Sequence, residues 1–124
     1  MDLAPKRFAD AVVLHPVGRI NHVSTDTFKS AIDPFIERCA AGGDQIVLDL
    51  SGLEYISSAG LRVLMLAQKQ AKARGGTLVV AELQPLVKEI FEISRFTLVF
   101  EVFDTLREAL ERVSPAALAA FGPG

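Results

Sequence analysis

The reading of the fold turns on QIVLDLSGLEYISSAGLRVLMLAQKQAKARGGTLVVA, residues 45–81. Gln45 to Leu50 is an apolar run broken by a single acid, the pattern of a strand covered on both faces. From about Ser58 to Arg74 the apolar residues recur at helical spacing, and Gly75-Gly76 stops them. Thr77 to Ala81 then supplies a second buried strand. Strand, helix and strand within this length form a βαβ unit, which requires parallel strands and a right-handed crossover.

Working outward, Ala11 to Val17 has the β-branched density of a strand, and Gly18 to Asn21 is a turn or short strand end. Ser24 offers an N-cap to a helix whose Phe28, Ala31, Ile32, Phe35, Ile36 and Cys39 share one face. Pro34 inside it predicts a kink, or a restart capped by Asp33, and Gly42-Gly43 ends it. Downstream, Pro85 starts a short helix to about Ile93, Thr97 to Phe100 reads as a last strand, and Asp104 caps a final helix to Val113. The stretch from Pro115 onward, rich in small residues, reads as frayed. The expected architecture is α/β: one domain over residues 1–113, with its core from about 7 to 113, a mixed sheet of four to five strands covered by about four helices, and a flexible tail over 114–124.

Composition narrows the function. In 124 residues, 50% hydrophobic and 23% charged, the chain can bury a core without metal or disulfide, and a formal charge of −2 leaves no basic surplus for direct nucleic-acid binding. Cys39 stands alone, which suits a reducing cytoplasm, and no run approaches the ~20 apolar residues of a membrane span. The expectation is a cytoplasmic protein that is not membrane-embedded. His15 and His22 lack metal-ligand spacing, and Ser58 has Ile56 where a nucleophile elbow needs glycine. Asp49 and Glu54 read as turn-bonding and solvated acids, and Tyr55 as packing under the loop. Neither Gly-Gly pair opens a helix as a phosphate loop does, so no enzyme, metal or cofactor is expected.

What remains is the pair Ser57-Ser58, at the carboxyl end of a central parallel strand, where ligand sites gather in open α/β sheets. Ser58 falls at the N-cap or first residue of the next helix, where an anion is favoured. The bland alternative is capping chemistry alone.

The residues then show a resemblance. DLSGLEYISSAGLRVL, residues 49–64, is similar to the phosphorylation-site segment of STAS domain proteins, in particular the bacterial anti-sigma factor antagonists. The similarity continues through the Gly-Gly and TLVVA segment, Leu83 to Ser94, and Phe96 to Thr105, covering about residues 7 to 113. The resemblance implies a STAS-like fold and a partner-switching regulator of transcription. Its partner is an anti-sigma factor that is also a serine kinase. Unphosphorylated antagonist binds that factor, phosphorylated antagonist releases it, and a serine phosphatase resets the switch. By position the acceptor falls on Ser58, with Ser57 a second acceptor. Asn21 and Ser57 stand where the family commonly has Asp, and Ala59 where it has Ser or Thr, ahead of Gly60. The same resemblance allows a second function, a non-phosphorylated accessory subunit of a membrane transport ATPase.

A helical wheel places Val63, Leu64, Ala67 and Ala71 against the sheet and Arg62, Met65, Lys69 and Lys72 on another face. The resemblance implies that Asn21, Ser57, Ala59 and Gly60 lie at the partner-binding site, and the wheel adds Arg62, Met65 and Lys69, basic residues and an exposed Met beside the acceptor.

Overall fold

The computed structural model describes residues 1–123. Five strands, β1 (Lys6–Phe8), β2 (Ala11–Leu14), β4 (Gln45–Asp49), β6 (Leu78–Ala81) and β7 (Val102–Phe103), form one sheet in the order β1-β2-β4-β6-β7. β1 is antiparallel to β2, and the other neighbours are parallel. β4 is thus the middle strand and pairs directly with β6, Ile46 opposite Leu78, as the βαβ reading requires. β3 (Gly18–Ile20) and β5 (Leu53–Ile56) make a separate parallel ribbon.

Alternate residues of the sheet feed two apolar layers, because side chains along a strand point to opposite faces. Val12, Leu14, Ile46, Leu48, Leu78 and Val80 meet α1 (Thr25–Glu37), α2 (Ser58–Ala73) and α3 (Pro85–Ile93). Ala11, Val13, Val47, Val79 and Ala81 meet α4 (Leu106–Val113) and α5 (Pro115–Phe121). Val63, Leu64, Ala67 and Ala71 are buried on the sheet-facing side of α2, where the wheel puts them. Cys39 lies fully buried, its Sγ 3.4 Å from the Thr77 carbonyl, and burial pushes its thiol pKa up.

Several expectations need correction. α1 does not restart at Asp33-Pro34: Thr25–Glu37 is one helix with Pro34 inside it. Ser24 precedes it without a side-chain cap, because its hydroxyl accepts from the Asn21 N–H at 3.0 Å and donates to the Arg19 carbonyl. Thr97 to Phe100 is not a strand. Arg95 adopts a left-handed backbone, φ 59°, and begins a 3₁₀ turn at Phe96–Leu98. Phe96 and Phe100 pack against Phe91, with ring centroids 5.6 and 6.3 Å away, and the strand begins two residues later. Thr105, not Asp104, caps α4, its hydroxyl accepting from the Glu108 N–H at 3.1 Å. The stretch expected to fray is helical over Pro115–Phe121, capped by Ser114 and tied down by an edge-to-face contact between Phe121 and Phe8 at 5.4 Å. Gly124, the end of that expected tail, lies outside the described residues.

Candidate functional site

The two serines have different jobs. Ser57 is the N-cap of α2: with extended backbone, it accepts the Gly60 N–H on its hydroxyl at 3.2 Å. Its own N–H donates to the Ile20 carbonyl at 2.8 Å, which ties the start of α2 to β3. Ser58 is the first residue of the helix and is exposed, its side chain making no hydrogen bond among the described residues. Because one hydroxyl takes the cap, the other is left free at the surface.

Gly60 makes this junction possible. A Cβ there would stand 2.7 Å from Ile56 Cγ1 and 2.8 Å from Ile20 Cγ2, closer than real side-chain atoms approach. The bare backbone lets α2 settle onto the β3–β5 ribbon and sets the height at which Ser58 projects. The ribbon's outer surface is braced by Arg19, whose guanidinium lies 4.7 Å above the Tyr55 ring centroid. Tyr55 is therefore half-buried on a strand rather than under a loop.

Ser58 stands on a ridge between two grooves. One, of about 490 Å³, runs between the first turns of α1 and α2 and is lined by Thr25, Lys29, Ala59, Arg62, Val63 and Leu66. The other, of about 230 Å³, runs toward α3 and is lined by Tyr55, Ile56, Leu61, Ile90, Ile93 and Ser94. Their rims carry large exposed apolar side chains, Leu66 at 45% and Ile93 at 75% of full exposure. Exposed apolar surface gathered around a reactive group marks an interaction site.

Of the expected site residues, the structure brings Ser58, Ala59 and Arg62 into one groove. Asn21 follows β3, whose Ile20 is in register with Ile56, so it lies beside the Ser57 cap. Its side-chain oxygen accepts from the N–H groups of Val23 and Ser24 at 2.9 and 3.1 Å, a turn that needs an oxygen but no charge. Gly60 is buried beneath the site. Met65 is not exposed: it is half-buried against the apolar core, and Leu66 takes the surface position beside it. Lys69 is exposed on α2 but lines neither groove. Sequence reasoning missed Thr25, Lys29, Leu66 and Ile93. Leu66 was within reach, since Ser58, Arg62 and Leu66 repeat at four-residue steps; Thr25, Lys29 and Ile93 come from other helices and carry no local signal.

His15, just past β2, places its Nδ1 3.5 Å from an Asp49 carboxylate oxygen, away from either groove. Among the described residues no three acidic, histidine or cysteine side chains converge as a metal site. None of the described helices is long and apolar enough to cross a membrane.

A five-stranded mixed sheet, a flanking ribbon and a serine at the start of the crossover helix define a recognisable class. The STAS domain family model matches residues 3–109, and the chain belongs to that family. BtrV of Bordetella bronchiseptica, by name a candidate anti-sigma factor antagonist, is 40% identical over 101 residues, 82% of this chain and 84% of its own length. Among solved structures, the candidate anti-sigma factor antagonist TM1081 of Thermotoga maritima superposes with a TM-score of 0.80 at 27% identity, covering 90% of this chain and 93% of that one. SpoIIAA of Bacillus, in its phosphorylated form, shares the fold with a TM-score of 0.64 at 19% identity over 89% of this chain and 97% of its own.

Proposed function

We propose that the chain is an anti-sigma factor antagonist working as a partner switch, with Ser58 its phosphorylation site. The observation that carries this reading is the division of labour between the serines: Ser57 caps α2, and the Ser58 hydroxyl is exposed between two apolar-rimmed grooves. The likeness to BtrV supports the same class.

In the unphosphorylated state an anti-sigma factor that is also a serine kinase docks over Ser58, with Leu66 and Ile93 as apolar anchors. ATP belongs to the kinase. Its γ-phosphoryl group passes to Ser58 Oγ: the new O–P bond forms as the bond to ADP breaks, and the hydroxyl proton leaves to a base of the kinase. The product carries about −1.5 to −2 charges at neutral pH. At the first turn of a helix that charge is stabilised by roughly 0.3 to 1 kcal/mol, so the fold stays closed. Against a partner surface shaped for a hydroxyl, burial of the same charge costs several kcal/mol, and each 1.4 kcal/mol is about tenfold in affinity. The phosphorylated antagonist lets go, and a serine phosphatase restores it. The action is cytoplasmic and non-enzymatic, through protein contact rather than nucleic acid.

Intact-mass measurement after incubation with ATP and the cognate kinase tests this. The expected result is a gain of one phosphoryl group that survives in Ser57→Ala and vanishes in Ser58→Ala, with a loss of partner affinity of about a hundredfold or more. A gain that persists in Ser58→Ala, or a phosphoprotein that holds its partner undiminished, overturns the assignment. No modification together with a stable complex with a transport ATPase establishes the accessory-subunit function instead.

A further inference from the structure

We infer that a phosphate on Ser58 is held by the chain's own Arg62 and Lys29, which close over it from the two walls of the α1–α2 groove. The inference rests on Ser58 as acceptor and concerns what happens to the phosphate once it is there.

The charges around the ridge carry the argument. Among the described residues that line the two grooves flanking Ser58, the charged ones are Lys29 and Arg62, with no carboxylate. Arg62 sits four residues after Ser58 on the same helix, a spacing that brings side chains together on one surface. Lys29 stands on α1, across the groove. Among the described residues Arg62 has no ion-pair partner, so its guanidinium is available. Lys29 is paired with Asp33 at 2.7 Å, but both side chains are well exposed, and such an i,i+4 pair has little net worth against a dianion. The positions that would oppose an anion are neutral. Asn21 is engaged in its turn, and Ser57 in its cap.

Phosphoserine adds three acceptor oxygens to this rim, and a guanidinium matches them with two parallel donors. The phosphorylated chain thus gains a dianion and, in the same step, withdraws the two cations from the docking rim. A partner that used Arg62 or Lys29 loses them together with the free hydroxyl, so release does not depend on repulsion alone.

The test uses the full chain with phosphoserine genetically encoded at position 58, followed by ³¹P NMR against pH. The second ionisation of the phosphate is expected to fall at a pH lower by roughly half to one unit than in the Arg62→Gln, Lys29→Gln double variant. The Arg62 Nε–H resonance of the wild-type chain is expected to move with the same midpoint. Coincident midpoints in the two chains, or an Arg62 resonance indifferent to phosphate ionisation, overturn the inference; the second reading needs no variant to fold. No kinase takes part, so this outcome is separate from that of the acceptor assignment. A kinase that leaves Ser58 unmodified defeats the switch but not the capture, and unchanged titration defeats the capture but not the switch.

Discussion

At the scale of single residues, two adjacent serines with the same side chain carry different energies because of backbone position. Ser57 satisfies a helix-start N–H that would otherwise face the protein unpaired, whereas Ser58 makes no side-chain hydrogen bond among the described residues. Ser57→Ala is therefore expected to lower stability by about 1 kcal/mol, and Ser58→Ala to change it by less than about half that. Urea denaturation of the two variants checks this; equal losses would show that the cap is shared. The distinction bears on the proposed switch, since a cap hydroxyl tied to Gly60 is a poorer phosphoryl acceptor than one open to solvent. Sequence reading reached the pair but left the cap between them open, because N-cap preference is the same for any serine and only the φ and ψ of Ser57 decide it.

At the scale of elements, α5 shows how a weak local signal becomes structure through packing. Its composition, PAALAAF, has too few apolar anchors to hold a seven-residue helix alone. Its own Ala117 is fully buried, Phe121 meets Phe8 edge-to-face, and the Arg107 guanidinium lies 5.3 Å from the Phe121 ring centroid. Ending the chain after Ser114 is expected to cost on the order of 2 kcal/mol, read as a lower denaturant midpoint, and to leave the proposed phosphorylation of Ser58 unaffected because α5 lies on the opposite face of the sheet. An unchanged midpoint would mean that α5 contributes nothing to the fold. The same logic explains why Thr97 to Phe100 misleads: its strand propensity is real, but tertiary packing overrides it, with Phe96 and Phe100 buried against Phe91.

At the scale of the whole molecule, the antiparallel edge strand is fastened to the loop after α1 by Arg7, which donates two hydrogen bonds of 3.0 Å to the Asp44 carboxylate. That hydrogen bonding, with the charge attraction that accompanies it, holds the Asp44 pKa below the ordinary carboxylate range. A depressed folded-state pKa stabilises above the unfolded value of roughly 4, and the contribution disappears as pH falls through the folded value. Arg7→Gln is thus expected to lower stability by about 0.2 to 1 kcal/mol near pH 7, with the difference vanishing once Asp44 is protonated at strongly acid pH. Urea midpoints of the two chains across that range measure it, and a gap that widens on acidification would contradict the assignment.

Apolar periodicity is a local property of the chain, and it is enough to specify the alternation of buried strand, helix and buried strand across residues 45–81. The serine pair does stand at the start of the crossover helix, but the strand that ends beside it is β5 of the ribbon, not the central strand β4 that the sequence led one to expect. Tertiary structure alone decided that β5 exists, because LEYI becomes a strand only by pairing with GRI from more than thirty residues away. It also decided that Lys29 and Ile93, from α1 and α3, flank Ser58 on α2. Both depend on long-range packing, which no single window of sequence records.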